Sequence, residues 1–261
     1  LKIKSIVKKN NLNLLTIGKN NSTIQFKSAK PFGNFQNIAF EHSKKKYAIK
    51  IPLIGLFQIK NLFMSILAAR LSGLDIKRTL NVVKNIKEVN GRLQLVKTTP
   101  NQKKIFVDYA HTPAALDTTL KALKEHYGTK PDIVFGCGGE RDKKKRSKMG
   151  YICEKNAGKI YVTDDNPRNE NPKLIRQMII SGLKKKLSIK EIPSRSKAIE
   201  TAVLKSKPNG IILIAGKGHE TTQTYGKKII NISDKEIVKN INKKKLKFNQ
   251  KNYNKISNES I

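Results

Sequence analysis

Four times between residues 105 and 220 a short apolar run passes directly into a polar or glycine-rich cluster. Ile105-Phe-Val107 leads into Asp108-Tyr-Ala-His-Thr-Pro113, and Ile133-Val-Phe135 into Gly136-Cys-Gly-Gly-Glu-Arg-Asp142. Ile160-Tyr-Val162 leads into Thr163-Asp-Asp-Asn-Pro-Arg168, and Ile211-Ile-Leu-Ile214 into Ala215-Gly-Lys-Gly-His-Glu220. Runs this short and this apolar read as fully buried strands. Helix-length stretches near 113–126, 146–157, 172–185 and 195–205 separate them, with a weaker strand near Ile189–Ile192. Strand–helix alternation of this kind specifies an α/β fold, a mostly parallel sheet with helices on both faces. In such sheets ligands bind beyond the carboxyl ends of the strands. The four clusters therefore share one rim, which predicts a single site.

The first third of the chain follows another pattern. Residues 1 to 50 alternate short apolar runs with Asn/Lys/Gly turns, such as 11–18 and 22–26, and read as short strands. Ile59, Leu62, Phe63, Ile66, Leu67 and Arg70 then follow helical spacing, and Gly73 stands where a helix ends. A second helix is expected over Ile76 to Val89, and a break at Asn90-Gly91. The expected divisions are 1–90, 91–243 and a Lys/Asn-rich tail at 244–261 of the kind that stays loose.

Lysine and arginine outnumber aspartate and glutamate 54 to 19, for a net charge of +35. Such a charge points toward nucleic acid or an acidic membrane surface. Its distribution points away. Arginines are few, the lysines run the whole length among many Asn and Ile, and aromatics are 6% with no Trp, so bases would find few stacking platforms. No specific nucleic-acid partner is expected, and a basic nucleic-acid module is kept as the second reading. Cys137 and Cys153 form no CxxC pair, which suits a reduced, cytoplasmic chain. No metal-ligand cluster is apparent. No apolar run approaches the roughly 18 residues of a membrane span. The chain opens at Leu1 in mid-pattern and reads as a fragment.

Each cluster has a plain alternative. Asp108 could cap the following helix and His111 could pack locally. Gly136-Cys-Gly-Gly139 could be a tight turn, or a place where backbone N–H groups approach an anion. Gly216-Lys-Gly218 is not a phosphate loop, since GxxxxGK[ST] occurs nowhere in the chain. Lys217 and His219 could be surface residues, and Glu220 could complement a helix dipole. The Asp165-Asn-Pro-Arg168 string carries more opposite charge than a turn needs.

These strings, together with Pro52-Leu-Ile-Gly55, Phe57, Asn61 and Gly91-Arg92, resemble the Mur ligase family in content and order from about residue 50 to 225. The resemblance implies the end of a central ATPase domain followed by a Rossmann-like C-terminal domain. It implies a ligase that uses ATP and Mg2+ to turn a carboxylate of a UDP-linked muramoyl peptide into an acyl phosphate, which an amino acid then attacks. The tetrahedral intermediate collapses to an amide and phosphate. The phosphate loop, a carbamylated lysine and most magnesium ligands lie upstream in the family, so no catalytic residue and no metal ligand is assigned within these residues. Asn61, Arg92, Asp108 and His111 would serve ATP. Gln58 stands where members often carry Asn. Arg141, Asp165, Asn166, Pro167, Arg168, Gly216 and Glu220 would bind the incoming amino acid. The matching motif implies meso-diaminopimelate, added to UDP-N-acetylmuramoyl-L-alanyl-D-glutamate by a monomer. A fragment that binds the amino acid without catalysis is the alternative.

Overall fold

The computed structural model describes residues 2–184 and 189–241, and the chain divides into two compact units, Leu1–Lys87 and Glu88–Ile261. The expected loose tail, 244–261, lies outside the described residues.

The first unit comprises α1 (Lys2–Lys9), β1 (Ile17–Gly18), β2 (Ile24–Phe32), β3 (Phe35–His42), β4 (Lys45–Ile51), α2 (Leu56–Leu71) and α3 (Ile76–Val83). The strands form one sheet in sequential order. Helix α2 carries Ile59, Leu62, Phe63, Ile66 and Leu67 at the predicted spacing, and these pack with Ile24, Ile38, Phe40, Ile49 and Ile51 in one core. Two expectations change here. Residues 2–9 form a helix, not a strand, because Ile3, Ile6 and Val7 repeat at helical spacing. Helix α3 starts at the Asp75 cap, whose carboxylate accepts from Lys77 and Arg78 N–H, but stops at Val83 and not Val89. Val83 and Leu80 are the last buried positions of that helix; beyond them Ile86 reaches the same core from a turn.

The second unit follows the α/β alternation. It comprises β5 (Gln94–Thr98), β6 (Lys104–Asp108), α4 (Pro113–Tyr127), β7 (Asp132–Phe135), α5 (Lys144–Asn156), β8 (Ile160–Val162), α6 (Pro172–Ile180), β9 (Ile189–Glu191), α7 (Arg195–Lys205), β10 (Ile211–Ala215), β11 (Thr222–Tyr225), β12 (Lys228–Asn231) and α8 (Asp234–Asn240). The sheet order is β5-β6-β10-β7-β8-β9, parallel except for the antiparallel edge strand β5. Strand β10, last in sequence, lies between β6 and β7. Ile105, Val107, Ile212 and Ile214 pack with Ala198, Ile199, Ala202 and Val203 of α7 and Val238 of α8 on one face. Phe106, one residue out of phase, meets Tyr127 of α4 on the other face. Helix α6 ends at Ile180, short of the expected 185. Gly182 lies so close to Ser147 of α5 that a Cβ there would stand 1.9 Å from the Ser147 carbonyl oxygen.

In-register pairing aligns the strand ends. Ala215 lies beside Asp108, Ile214 beside Val134, and Phe135 beside Val162. All four polar clusters thereby emerge on one rim.

Candidate functional site

A cleft of about 600 Å³ opens on that rim, and all four loops line it. Tyr109 and His111 come from the loop after β6. Gly136, Cys137, Gly138 and Arg141 follow β7, Asp165, Asn166 and Arg168 follow β8, and Gly216 and Glu220 follow β10. Six of the seven residues expected on the amino-acid side line it. The seventh, Pro167, is buried.

The two adjacent carboxylates after β8 do different work. Asp164 turns inward, paired with Arg176, and accepts from the Tyr225 hydroxyl at 2.8 Å. Burial, and then this bond to Asp164, pushes the Tyr225 hydroxyl well above its usual range. Asp165 lines the cleft, and its Oδ1 accepts the Asn166 N–H at 2.6 Å. Part of the surplus charge in this stretch is therefore structural.

The β11–β12 hairpin clamps the same loop. Gln223 Nε2 donates to the Asp165 carbonyl at 2.5 Å and Thr224 N–H to Asn166 Oδ1 at 3.1 Å. Arg168 N–H donates to the Thr224 carbonyl, and Gly226 N–H to the Arg168 carbonyl. The clamp holds Arg168 at φ +53°, a left-handed conformation that side chains other than glycine seldom adopt. The Arg168 guanidinium spends Nη1 on the Gly139 carbonyl at 2.7 Å. Its Nε and Nη2 have no partner among the described residues. The β7 loop approaches so closely that a Cβ at Gly139 would stand 1.9 Å from the Pro167 carbonyl oxygen. Only glycine fits there.

Two buried arginines hold the frame. Arg146 is fully buried and binds both Glu170 oxygens at 2.9 Å, with Nη2 also on the Gly138 carbonyl at 3.2 Å. The Arg146 hydrogen bond holds the Glu170 carboxyl down at about 2 against an ordinary 4.5. Its contribution to stability is then complete above about pH 4.5 and disappears as pH falls through about 2. A Glu170→Gln variant is expected to unfold more easily than the parent at pH 7. That gap should close between pH 4.5 and 2, as followed by urea unfolding at a series of pH values. A gap constant across the series would mean that Glu170 acts through packing alone. Arg195, also fully buried, binds Asp234 bidentately at 2.7 Å and donates Nη2 to the Ala215 carbonyl at 3.1 Å.

Lys217 is not a surface residue. It is fully buried, and its ammonium reaches Glu220 Oε2 at 2.9 Å and Asn166 Oδ1 at 3.2 Å. Asn166 Nδ2 donates to the same Glu220 oxygen at 3.1 Å. Cys137 lines the cleft, but burial pushes its thiol up to about 12, so it is inert at neutral pH.

On the other flank, Tyr109 gathers three basic side chains. Arg92 lies over its ring at 4.4 Å, His111 meets it edge-on at 4.6 Å, and His219 lies at 5.5 Å. Gly91 and Gly218, both at positive φ, interlock beneath, leaving 2.5 Å between a Cβ at Gly91 and the Gly218 carbonyl carbon. An exposed cation on an aromatic face suits an anionic ligand with a flat ring. Asp108 is buried and already accepts from Leu93 N–H, Tyr109 N–H and the Thr119 hydroxyl. Burial pushes its carboxyl up, opposed by these three bonds. Asp108 anchors the loop here and presents little carboxylate to solvent. Asn61 is exposed on α2 in the first unit. Gln58 there is buried, with its amide on the Ile54 carbonyl. Among the described residues no group of three His, Cys, Asp or Glu side chains is placed to hold a metal ion.

The cleft thus gathers the carboxylates of Asp142, Asp165 and Glu220 with the guanidinium groups of Arg141 and Arg168 and the ammonium groups of Lys145 and Lys148. That set is complementary to a group bearing an ammonium and a carboxylate together. Sequence reasoning missed Tyr109, Asp164, Gln223, Thr224 and Tyr225. Tyr109 and Asp164 lie inside the clusters after the apolar runs and carried that signal, whereas Gln223, Thr224 and Tyr225 lie in a short polar strand that carries none.

Residues 91–218 match the family described as Mur ligase, glutamate ligase domain. The chain is 40% identical over 240 residues to a UDP-N-acetylmuramoyl-L-alanyl-D-glutamate–2,6-diaminopimelate ligase of Rickettsia montanensis, covering 91% of this chain and 49% of that protein. It is 44% identical over 204 residues to the ligase of the same description from Buchnera aphidicola, covering 78% of this chain and 41% of that one. The chain thus spans about half the length of the curated relatives it matches. A solved structure of a ligase with that description superposes with a TM-score of 0.64 at 28% identity, over 95% of this chain and 50% of the other. A folylpolyglutamate synthase from Mycobacterium tuberculosis complexed with ADP shares the fold alone, with a TM-score of 0.67 at 16% identity over 82% of this chain and 49% of that one.

Proposed function

Since this chain belongs to the Mur ligase family, we propose that it forms the acceptor-binding half of an ATP-dependent ligase. That ligase joins meso-diaminopimelate to UDP-N-acetylmuramoyl-L-alanyl-D-glutamate in peptidoglycan precursor synthesis, in the cytoplasm. The observation that carries this reading is the placement of Asp165 and Glu220 together with Arg141 and Arg168 around one cleft.

Meso-diaminopimelate carries an ammonium and a carboxylate at each end. The Nε–Nη2 edge of Arg168 takes the far carboxylate, with Arg141 beside it. Asp165 and Glu220 take the far ammonium, and Asn166 Nδ2 has a second hydrogen for the carboxylate. Gripping one end leaves the amine at the other end to point out of the cleft as the nucleophile. Holding it there turns a bimolecular attack into a positioned one. When bound, ATP with Mg2+ would phosphorylate the D-glutamyl carboxylate and leave as ADP, and attack of this amine on the resulting acyl phosphate would release phosphate. Arg92, His111 and Tyr109 suit the phosphates and base of that nucleotide, and Asp108 fixes their loop.

Calorimetric titration of the 261-residue chain with meso-diaminopimelate and with lysine tests the reading. Meso-diaminopimelate is expected to bind, and lysine, lacking the far carboxylate, about 10-fold or more weaker. Equal binding of both, or of neither, would remove the acceptor from the proposal.

A further inference from the structure

We infer that Lys217 is a positioning and specificity-determining residue, the group that fixes which way the Asn166 amide faces in the cleft. The inference rests on the amino-acid reading of that cleft and concerns a side chain the reading does not use.

The geometry points one way. A carboxamide can present either its oxygen or its nitrogen to a ligand, and the neighbours decide which. Asn166 Oδ1 receives two donors, the Lys217 ammonium at 3.2 Å and the Thr224 N–H at 3.1 Å. Nδ2 faces Glu220 Oε2 at 3.1 Å, and Lys217 reaches that same oxygen at 2.9 Å. Lys217, Asn166 and Glu220 thus close a triangle. A flipped amide would set Nδ2 against an ammonium and an N–H, and its oxygen against a carboxylate, so every contact would turn repulsive. Lysine is a pure donor, so only one orientation satisfies it.

Burial makes the arrangement stiff. Lys217 is fully buried while Glu220 is about one-third exposed. An ammonium taken out of water must keep its partners. It is therefore the fixed vertex, and Glu220 is the vertex that the ligand shares. With Nδ2 locked toward the cleft, Asn166 donates to a carboxylate and cannot accept from an ammonium. Glu220, with Oε2 engaged, has Oε1 left for an ammonium. The triangle sorts the two charges of an amino-acid head to opposite sides of the cleft.

Lys217→Met keeps the length of the side chain and removes the donor. Two measurements on the 261-residue chain test the inference. In the ligand-free protein, the Asn166 side-chain amide is expected to give one pair of NMR signals with slowed hydrogen exchange. K217M is expected to give two pairs, or one averaged pair exchanging at least about 10-fold faster, as the lock is lost. In titrations, K217M is expected to bind meso-diaminopimelate about 10- to 100-fold more weakly and to lose most of its preference over lysine. K217Q, which still donates to Asn166 Oδ1, is expected to restore the slow exchange. If K217M does not fold, the K217M/E220Q pair removes both charges, and the Asn166 signals are read there. Unchanged Asn166 signals in K217M overturn the inference, as does parental affinity and preference. If the signals change as expected but the parent chain binds no meso-diaminopimelate, the amino-acid reading fails and the lock on Asn166 stands.

Discussion

Replacing Arg168 by alanine in the complete ligase is expected to lower kcat/KM for meso-diaminopimelate by about 30- to 4,000-fold and to leave that for lysine nearly unchanged. The two substrates differ by one carboxylate at the far end. Arg168 has Nη1 committed to the Gly139 carbonyl, so the free edge of the fork is already aimed and loses little entropy on binding. Removing one member of a desolvated, hydrogen-bonded charge pair costs on the order of 2–5 kcal/mol, and each 1.4 kcal/mol is about tenfold. Lysine never used that pair. Alanine and arginine share the penalty of φ +53°, so backbone strain does not distinguish the variant from its parent. KM for ATP should hold steady. Steady-state kinetics with both amino acids decide the matter: equal losses for both would make Arg168 a structural turn residue that ties the β7 and β8 loops together.

Arg195→Ala is expected to destabilise the second unit by about 3–5 kcal/mol, because it strands the fully buried Asp234 carboxylate without its partner. That is a large share of the roughly 5–15 kcal/mol that holds a domain together. The damage should reach the cleft, since Arg195 also donates to the carbonyl of Ala215 at the mouth of β10. Native-state hydrogen exchange of the β10 amides reports this unit separately from the first. Replacing the pair together, R195M with D234L, should recover most of the loss, because two apolar side chains leave no charge uncompensated. If the double variant is no more stable than the single one, the energy resides in the carbonyl contacts and not in the ion pair.

The parts of the molecule written in apolar runs were legible from sequence. Four of the five parallel strands, β6, β7, β8 and β10, are buried through their centres on both faces, so their central residues are apolar and the runs announce themselves. Their polar endings share a rim because parallel strands point the same way. The parts stabilised by hydrogen bonds to one particular neighbour were not legible. Strand β5 is an edge strand of mixed polarity, and β12 is exposed at every position, so neither carries an apolar signature. Asp164 and Asp165 are the same residue type side by side, and only the turn sends one to Arg176 and the other to the cleft. Lys217 reads as one more lysine in a chain rich in them, yet it is fully buried. Its burial follows from Glu220 and Asn166, the second of them 51 residues away. The short α3 and the helical 2–9 segment show the remaining weakness. A short helix pattern is set by a few residues, and a Lys/Asn-rich background blurs where it starts and stops.

Strand β10 is the last of the parallel strands to leave the ribosome, and it belongs in the middle of the sheet. Until residues 211–215 are made, β6 and β7 have no common neighbour. Contacts that span a hundred residues must then form late and together. The nascent unit waits with two half-sheets and exposed strand edges, the surfaces on which chains aggregate. The same insertion that completes the sheet brings up Gly216, Lys217 and Glu220. The loops after β7 and β8 precede it in the chain, so the cleft is complete only when this last strand delivers Glu220.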